Sequence, residues 1–165
     1  MALKRLGADF EHYMVVEFDD FAIKSYNAVH GTDFPATDIC TVHGEDLEVT
    51  DKEKYSYVLT YSFPCTDISQ AGQMKGFEEG SGTRSSLLWE VKRILMELQE
   101  TDALPQVLLM ENVDAITNQQ NRPHLSKWIE FLNGIGYTSY DQILNANDYG
   151  IAQFPSPSGV LFSKS

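Results

Sequence analysis

The chain is poor in cysteine: its 165 residues include two, Cys40 and Cys65. Two thiols cannot build a disulfide framework, so a reducing, cytoplasmic setting is expected. Basic residues are also scarce, with 12 Lys and Arg against 24 Asp and Glu and a formal net charge of −12. That balance repels a phosphate backbone at long range, so any nucleic-acid function has to account for its basic surface. No apolar run approaches the length that crosses a bilayer, and Met1-Ala2-Leu3-Lys4-Arg5 leads into no signal-peptide core, so no membrane partner is expected. His12, His30, His43 and His124 show no ligand spacing, and no metal is assigned. Repeats are absent, and no linker divides the chain into two domains.

What is present suits one globular domain with a real core: 42% hydrophobic and 22% charged residues. Leu87, Leu88, Val91, Ile94, Leu95 and Leu98 recur at helical spacing, with Lys92, Arg93, Glu97 and Gln99 opposite. Thr83 is a candidate N-cap after Gly80-Ser81-Gly82. Leu125, Ile129 and Leu132 define a second helix with a stop at Asn133-Gly134. An earlier helix is expected over residues 19–29, with Phe21, Ser25, Tyr26 and Val29 on one side and Gly31 after it. Short apolar runs at 14–18, 57–63 and 106–110 read as strands, and a further one begins at 137, before a loop at 145–150. Alternating strands and amphipathic helices predict an α/β fold with a parallel, doubly wound sheet. From Phe154 onward, periodicity gives way to Pro and Ser, so 1–153 is expected to be the domain and 154–165 an irregular tail.

Four segments bear chemistry. Pro64 ends the 57–63 run by withholding a ladder donor and delivers Cys65 to a loop at the strand's carboxyl end. A thiol there is either an inert core residue or a nucleophile whose pKa local dipoles can lower. Gly80-Ser81-Gly82-Thr83-Arg84-Ser85-Ser86 opens a helix, and is either a capped helix start or an anion cradle. Glu111-Asn112-Val113 lies just beyond the 106–110 run, where a carboxyl group is a solvated loop acid or a proton carrier in a cleft. Asn147-Asp148-Tyr149-Gly150-Ile151-Ala152-Gln153 is by itself an ordinary turn.

In this order and spacing the four segments closely resemble the DNA cytosine-5 methyltransferase family. The match runs through Pro64-Cys65-Thr66-Asp67-Ile68-Ser69, Gly82-Thr83-Arg84-Ser85-Ser86-Leu87, Glu111-Asn112-Val113 and the 147–153 turn, and covers the chain to Gln153. The resemblance implies part of a Rossmann-like methyltransferase sheet that uses S-adenosyl-L-methionine, with a role in DNA methylation and restriction-modification. Cys65 would attack C6 of a flipped cytosine, and Glu111 would hydrogen-bond and protonate N3. Ser69, Arg84 and Ser85 would meet the DNA substrate. Glu17, at the end of the 14–18 run, would hold the cofactor ribose, Phe18 would lie against the adenine, and Asp46 would sit near the adenine amino group or be a surface acid beside Glu45 and Glu48. Cys40 is expected to be a packed strand residue.

The family's glycine-rich cofactor loop would precede the first helix. Its arginines after the 147–153 motif and its basic target-recognition region have no counterpart here. The resemblance therefore implies an incomplete catalytic domain, weakly active or inactive alone, which meets double-stranded DNA largely through regions outside these residues. The −12 charge is what a catalytic half without its DNA-reading half would carry. One alternative is a non-catalytic remnant or interaction fragment that needs a complementary chain. Another, a thiol-dependent acyl-transfer enzyme, would need a histidine base that no motif supplies.

Overall fold

The helix expected over 19–29 forms one residue further along, with Gly31 after it as expected. In the computed structural model, which describes residues 2–63, 87–119, 121–150 and 158–164, α1 (Ala2–Arg5) is followed by α2 (Asp20–His30). The Asp19 carboxylate accepts from the Phe21 and Ala22 backbone N–H groups at 2.8 and 2.9 Å, satisfying donors that a helix start leaves orphaned. Gly31 closes α2 at φ 70°, in the left-handed region, and donates to the Asn27 carbonyl.

Two compact units make up the chain, Met1–Leu47 and Glu48–Ser165. In the first, α2 carries a cluster of rings. Tyr26 stacks on His30 with centroids 4.3 Å apart, and its hydroxyl is hydrogen-bonded to His12 Nδ1. Residues 14–18 were expected to form a strand, but among the described residues they join no ladder. An extended segment becomes a strand only when a neighbour takes its N–H and C=O groups. Cys40 is likewise not in a strand: it is exposed in the 3₁₀ turn Ile39–Thr41, which Asp38 caps by accepting from the Cys40 N–H at 2.9 Å.

The second unit is a sheet of order β1-β2-β4-β3, formed by β1 (Val58–Ser62), β2 (Val107–Val113), β3 (Thr138–Leu144) and β4 (Ser158–Lys164). β1 and β2 are parallel, and α3 (Leu88–Glu100) lies between them in sequence, as a crossover helix does. Leu88, Val91, Ile94, Leu95 and Leu98 of α3 are buried, the stripe read from the sequence. On α4 (Arg122–Gly134) Leu125 and Leu132 are buried as expected, but Trp128 shares their face, and Ile129 is only half-buried. Trp128 is fully buried, packs edge-on to Tyr61 and donates from Nε1 to its hydroxyl at 3.0 Å.

β4 corrects the expectation of an irregular tail. It runs antiparallel to both neighbours, from Val107↔Lys164 to Val113↔Ser158 on one side and from Thr138↔Lys164 to Leu144↔Ser158 on the other. Its backbone pairs on both edges, which outweighs the Ser and Pro content that precedes it. The sheet is therefore mixed. Among the described residues no helix is long and apolar enough to cross a membrane.

Candidate active site

Glu111 lies within β2 rather than beyond it, because the strand continues through Val113. Its register partner is Ser62, the last residue of β1 and three positions before Cys65 in the chain. Parallel pairing thus brings the carboxyl end of β1 level with Glu111, as open α/β sheets do where they build their sites. Pleating alternates the side chains, so Glu111 is exposed while Leu108, Met110 and Asn112 are buried. An acid that faces solvent at a strand end is free to exchange protons with whatever docks there.

The buried neighbour was not singled out from the sequence. Asn112 is 3% exposed, and its amide is used at both ends. Nδ2 donates to the Phe63 carbonyl at 2.9 Å, and Oδ1 accepts from the Val113 N–H at 2.9 Å. A buried amide left unpaired would cost about 1–3 kcal/mol, so these two bonds hold the side chain in one orientation. Its signal was present in the sequence: a polar residue at a position whose strand alternation demands burial.

In the Met1–Leu47 unit, Glu17, Phe18 and Asp19 form an acidic bend into α2. Glu17 Oε1 accepts from the Asp19 N–H at 2.8 Å, and the Glu17 carbonyl accepts from the Thr37 N–H at 2.8 Å, which lays the Thr37 backbone beside the bend. Phe18 is 71% exposed, so its ring face is available to a planar ligand. Asp46 is exposed in the 3₁₀ turn Gly44–Leu47, where Oδ2 accepts from the His43 N–H at 2.8 Å. Its carboxylate therefore serves first to close its own turn. Cys65, Ser69, Arg84 and Ser85 lie outside the described residues, as does Thr83.

A parallel strand pair with a helix between its strands in sequence, and an acid near the carboxyl end of the second strand, defines the Glu48–Ser165 unit as α/β. The family model for C-5 cytosine-specific DNA methylase matches residues 1–154, and the chain belongs to that family. It is similar to the orphan methyltransferase M.SssI of Spiroplasma monobiae, at 49% identity over 96 residues, covering 58% of this chain and 25% of that protein. It is 33% identical to the type II methyltransferase M.NlaX of Neisseria lactamica over 83% of this chain and 39% of that protein. Its fold is similar to that of the S. pombe Dnmt2 methyltransferase, with a TM-score of 0.71 at 19% identity, covering 99% of this chain and 44% of the other. The chain thus spans between a quarter and two fifths of the length of these two curated relatives.

Proposed function

We propose that these residues carry the nucleophile and the acid of a DNA cytosine-5 methyltransferase that takes its methyl group from S-adenosyl-L-methionine. The observation that carries the proposal is the register of Ser62 with Glu111, because it brings the strand leading to Cys65 level with the only acid of the Glu-Asn-Val motif. The Cys65 thiolate adds to C6 of a cytosine flipped out of the duplex, and the ring negative charge is met at N3 by a proton from Glu111. Charge removed from the ring in this way makes C5 the nucleophilic carbon. When bound, S-adenosyl-L-methionine would supply the methyl group to that carbon, its sulfonium sulfur leaving as a thioether. Loss of the C5 proton to solvent then expels the Cys65 sulfur as thiolate, and the N3 proton returns to Glu111 as the aromatic ring is restored.

The residues present fit the cofactor. A carboxylate such as that of Glu17 can accept from ribose hydroxyls, and the exposed Phe18 ring offers a face to adenine. Asp46 would accept from the adenine amino group. Ser69, Arg84 and Ser85 are assigned to the DNA strand, with Arg84 as the phosphate-pairing cation. Double-stranded DNA is the substrate, and the remaining family segments supply the basic surface that a chain of net charge −12 does not.

A second reading, an interaction fragment that needs a complementary chain, is favoured by the free side of β1. Among the described residues β1 pairs with β2 alone, and residues 14–18 join no sheet ladder. One experiment separates the readings. Duplex DNA containing 5-fluorocytosine is incubated with S-adenosyl-L-methionine and the 165-residue chain, alone and with a polypeptide carrying the other family segments. Fluorine cannot leave C5 as a proton does, so the thioether stays trapped after methyl transfer. The proposal expects a covalent adduct at Cys65 that Cys65→Ser abolishes and Cys40→Ser leaves intact. An adduct that survives Cys65→Ser, or that maps to Cys40, overturns the assignment. An adduct formed only with the second polypeptide supports the dependent form of the enzyme, and no adduct in either mixture favours the interaction fragment.

A further inference from the structure

Between His12 and His30 the chain doubles back on itself, with Glu17-Phe18-Asp19 as its bend and α2 as its returning arm. Three half-buried rings close the stem. His12 lies 4.7 Å from His30 and 5.7 Å from Tyr26, and Tyr26 stacks on His30 at 4.3 Å between centroids, so each ring meets the other two. Tyr26 and His30 are one helical turn apart on α2, which puts both on the side that faces His12. Phe10 flanks His12 at 5.1 Å, Phe34 flanks Tyr26 at 6.4 Å, and the Tyr26 hydroxyl is hydrogen-bonded to His12 Nδ1. Burial keeps that hydroxyl above its usual range, so it stays protonated.

We propose that His30 is the acid sensor of a latch, made with His12 and Tyr26, that holds the stem of the Glu17–Asp19 bend closed while the His30 imidazole is neutral. A proton on His30 sets a cation among packed rings, against His12, the amino terminus and Lys4 of α1. Burial first, and then those three groups, hold the His30 imidazole below the usual histidine range. The carboxyl end of α2 favours a cation at this position. That pull is blunted, because the Asn27 carbonyl already accepts from the Gly31 and Thr32 N–H groups at 2.8 and 3.1 Å. With its pKa lower folded than unfolded, His30 binds fewer protons in the closed form. The stability it contributes is full above the unfolded value of about 6.5 and is lost as pH falls below it. No step of the proposed methyl transfer uses these rings, so the latch stands or falls independently of it.

The test is an NMR titration of the full 165-residue chain. The imidazole Cε1–H shift of His30 gives its midpoint. Protection from hydrogen exchange is followed at two amides: Thr37, which donates to the Glu17 carbonyl at the bend, and Val107, which donates to the Tyr57 carbonyl in the other compact unit. Between about pH 7.5 and about pH 5.5 the Thr37 protection factor is expected to fall by about threefold or more, in step with His30, while that of Val107 stays level. His30→Phe keeps a ring on Tyr26 without a titrating group and is expected to remove the fall. If His30→Phe does not fold, His30→Gln takes its place, with the same level profile expected. The latch is overturned by a His30 midpoint at or above about 6.5 or by no fall at Thr37 in the parent chain. An equal fall at Val107, or a fall at Thr37 that persists in the folded His30 variant, overturns it as well.

Discussion

Ser62 and Glu111 face each other across the parallel pair of β1 and β2, the last register step before β1 ends. The pairing fixes how far the acid stands from the start of the cysteine segment along the chain, and it does so through backbone hydrogen bonds rather than through loop conformation. Two elements distant in sequence are thereby brought to one end of the sheet, which is the arrangement the proposed chemistry requires.

Replacing the acid should separate chemistry from folding. Glu111 is exposed, so Glu111→Gln is expected to leave the unfolding free energy within about 0.5 kcal/mol of the parent. Adduct formation with 5-fluorocytosine DNA should slow by about 100-fold or more, because the amide cannot deliver a proton to N3. Adduct rates near those of the parent chain would remove Glu111 from the mechanism.

The buried Trp128–Tyr61 contact ties α4 to β1. Trp128→Phe keeps a ring but removes the donor to the Tyr61 hydroxyl, and should cost about 1–3 kcal/mol. Trp128→Ala should cost about 3–5 kcal/mol, as large aromatic truncations in a core do. Urea unfolding of the two variants decides the matter, and a Trp128→Phe variant as stable as the parent would mean that the hydrogen bond contributes nothing.

Alkali should weaken the Glu48–Ser165 unit through two tyrosines. Burial pushes the Tyr61 hydroxyl well above its usual range, and does the same to Tyr137, whose hydroxyl donates to the Pro105 carbonyl at 2.6 Å. A pKa raised on folding contributes stability that is fully present below the unfolded value of about 10 and is lost as pH rises past it. Stability measured by urea midpoint is therefore expected to be level between about pH 8 and 9.5 and to fall steeply above 10. Tyr137→Phe should be less stable at neutral pH and show a shallower fall. A fall as steep as that of the parent chain would exclude Tyr137 as a source of the effect.

Features legible in the sequence were those decided locally or by periodicity. Gly31 marked the end of α2 because a left-handed terminus is a single-residue requirement, whereas Asp19, read as the first residue of the helix, is its cap. The buried stripe of α3 followed from helical spacing. Features that depend on a partner were not legible. Residues 14–18 have strand composition, yet a strand exists only where a neighbour takes its hydrogen bonds in a ladder, and among the described residues 14–18 join none. Glu111 was read as lying past the end of its strand because the polar Glu-Asn pair interrupts the apolar run, whereas the ladder with β4 carries β2 on to Val113. Trp128 was missed because its partner, Tyr61, lies on β1, far away in sequence.

The strand that composition concealed provides the last test. Ser158–Lys164 follows a Pro- and Ser-rich stretch, but in the fold it lies between β2 and β3, with Leu161 opposite Met110 on one side and Asp141 on the other. Proline at such a position removes a ladder donor and fixes φ away from extended pairing, and a central strand has no solvent edge to absorb the loss. Leu161→Pro is therefore expected to lower the thermal midpoint of the chain sharply or to prevent the cooperative transition altogether, as followed by circular dichroism. If 154–165 were an irregular appendage to the domain, the same substitution would leave the transition where it was. An unchanged midpoint in Leu161→Pro would thus remove β4 from the sheet and restore the reading that composition alone suggested.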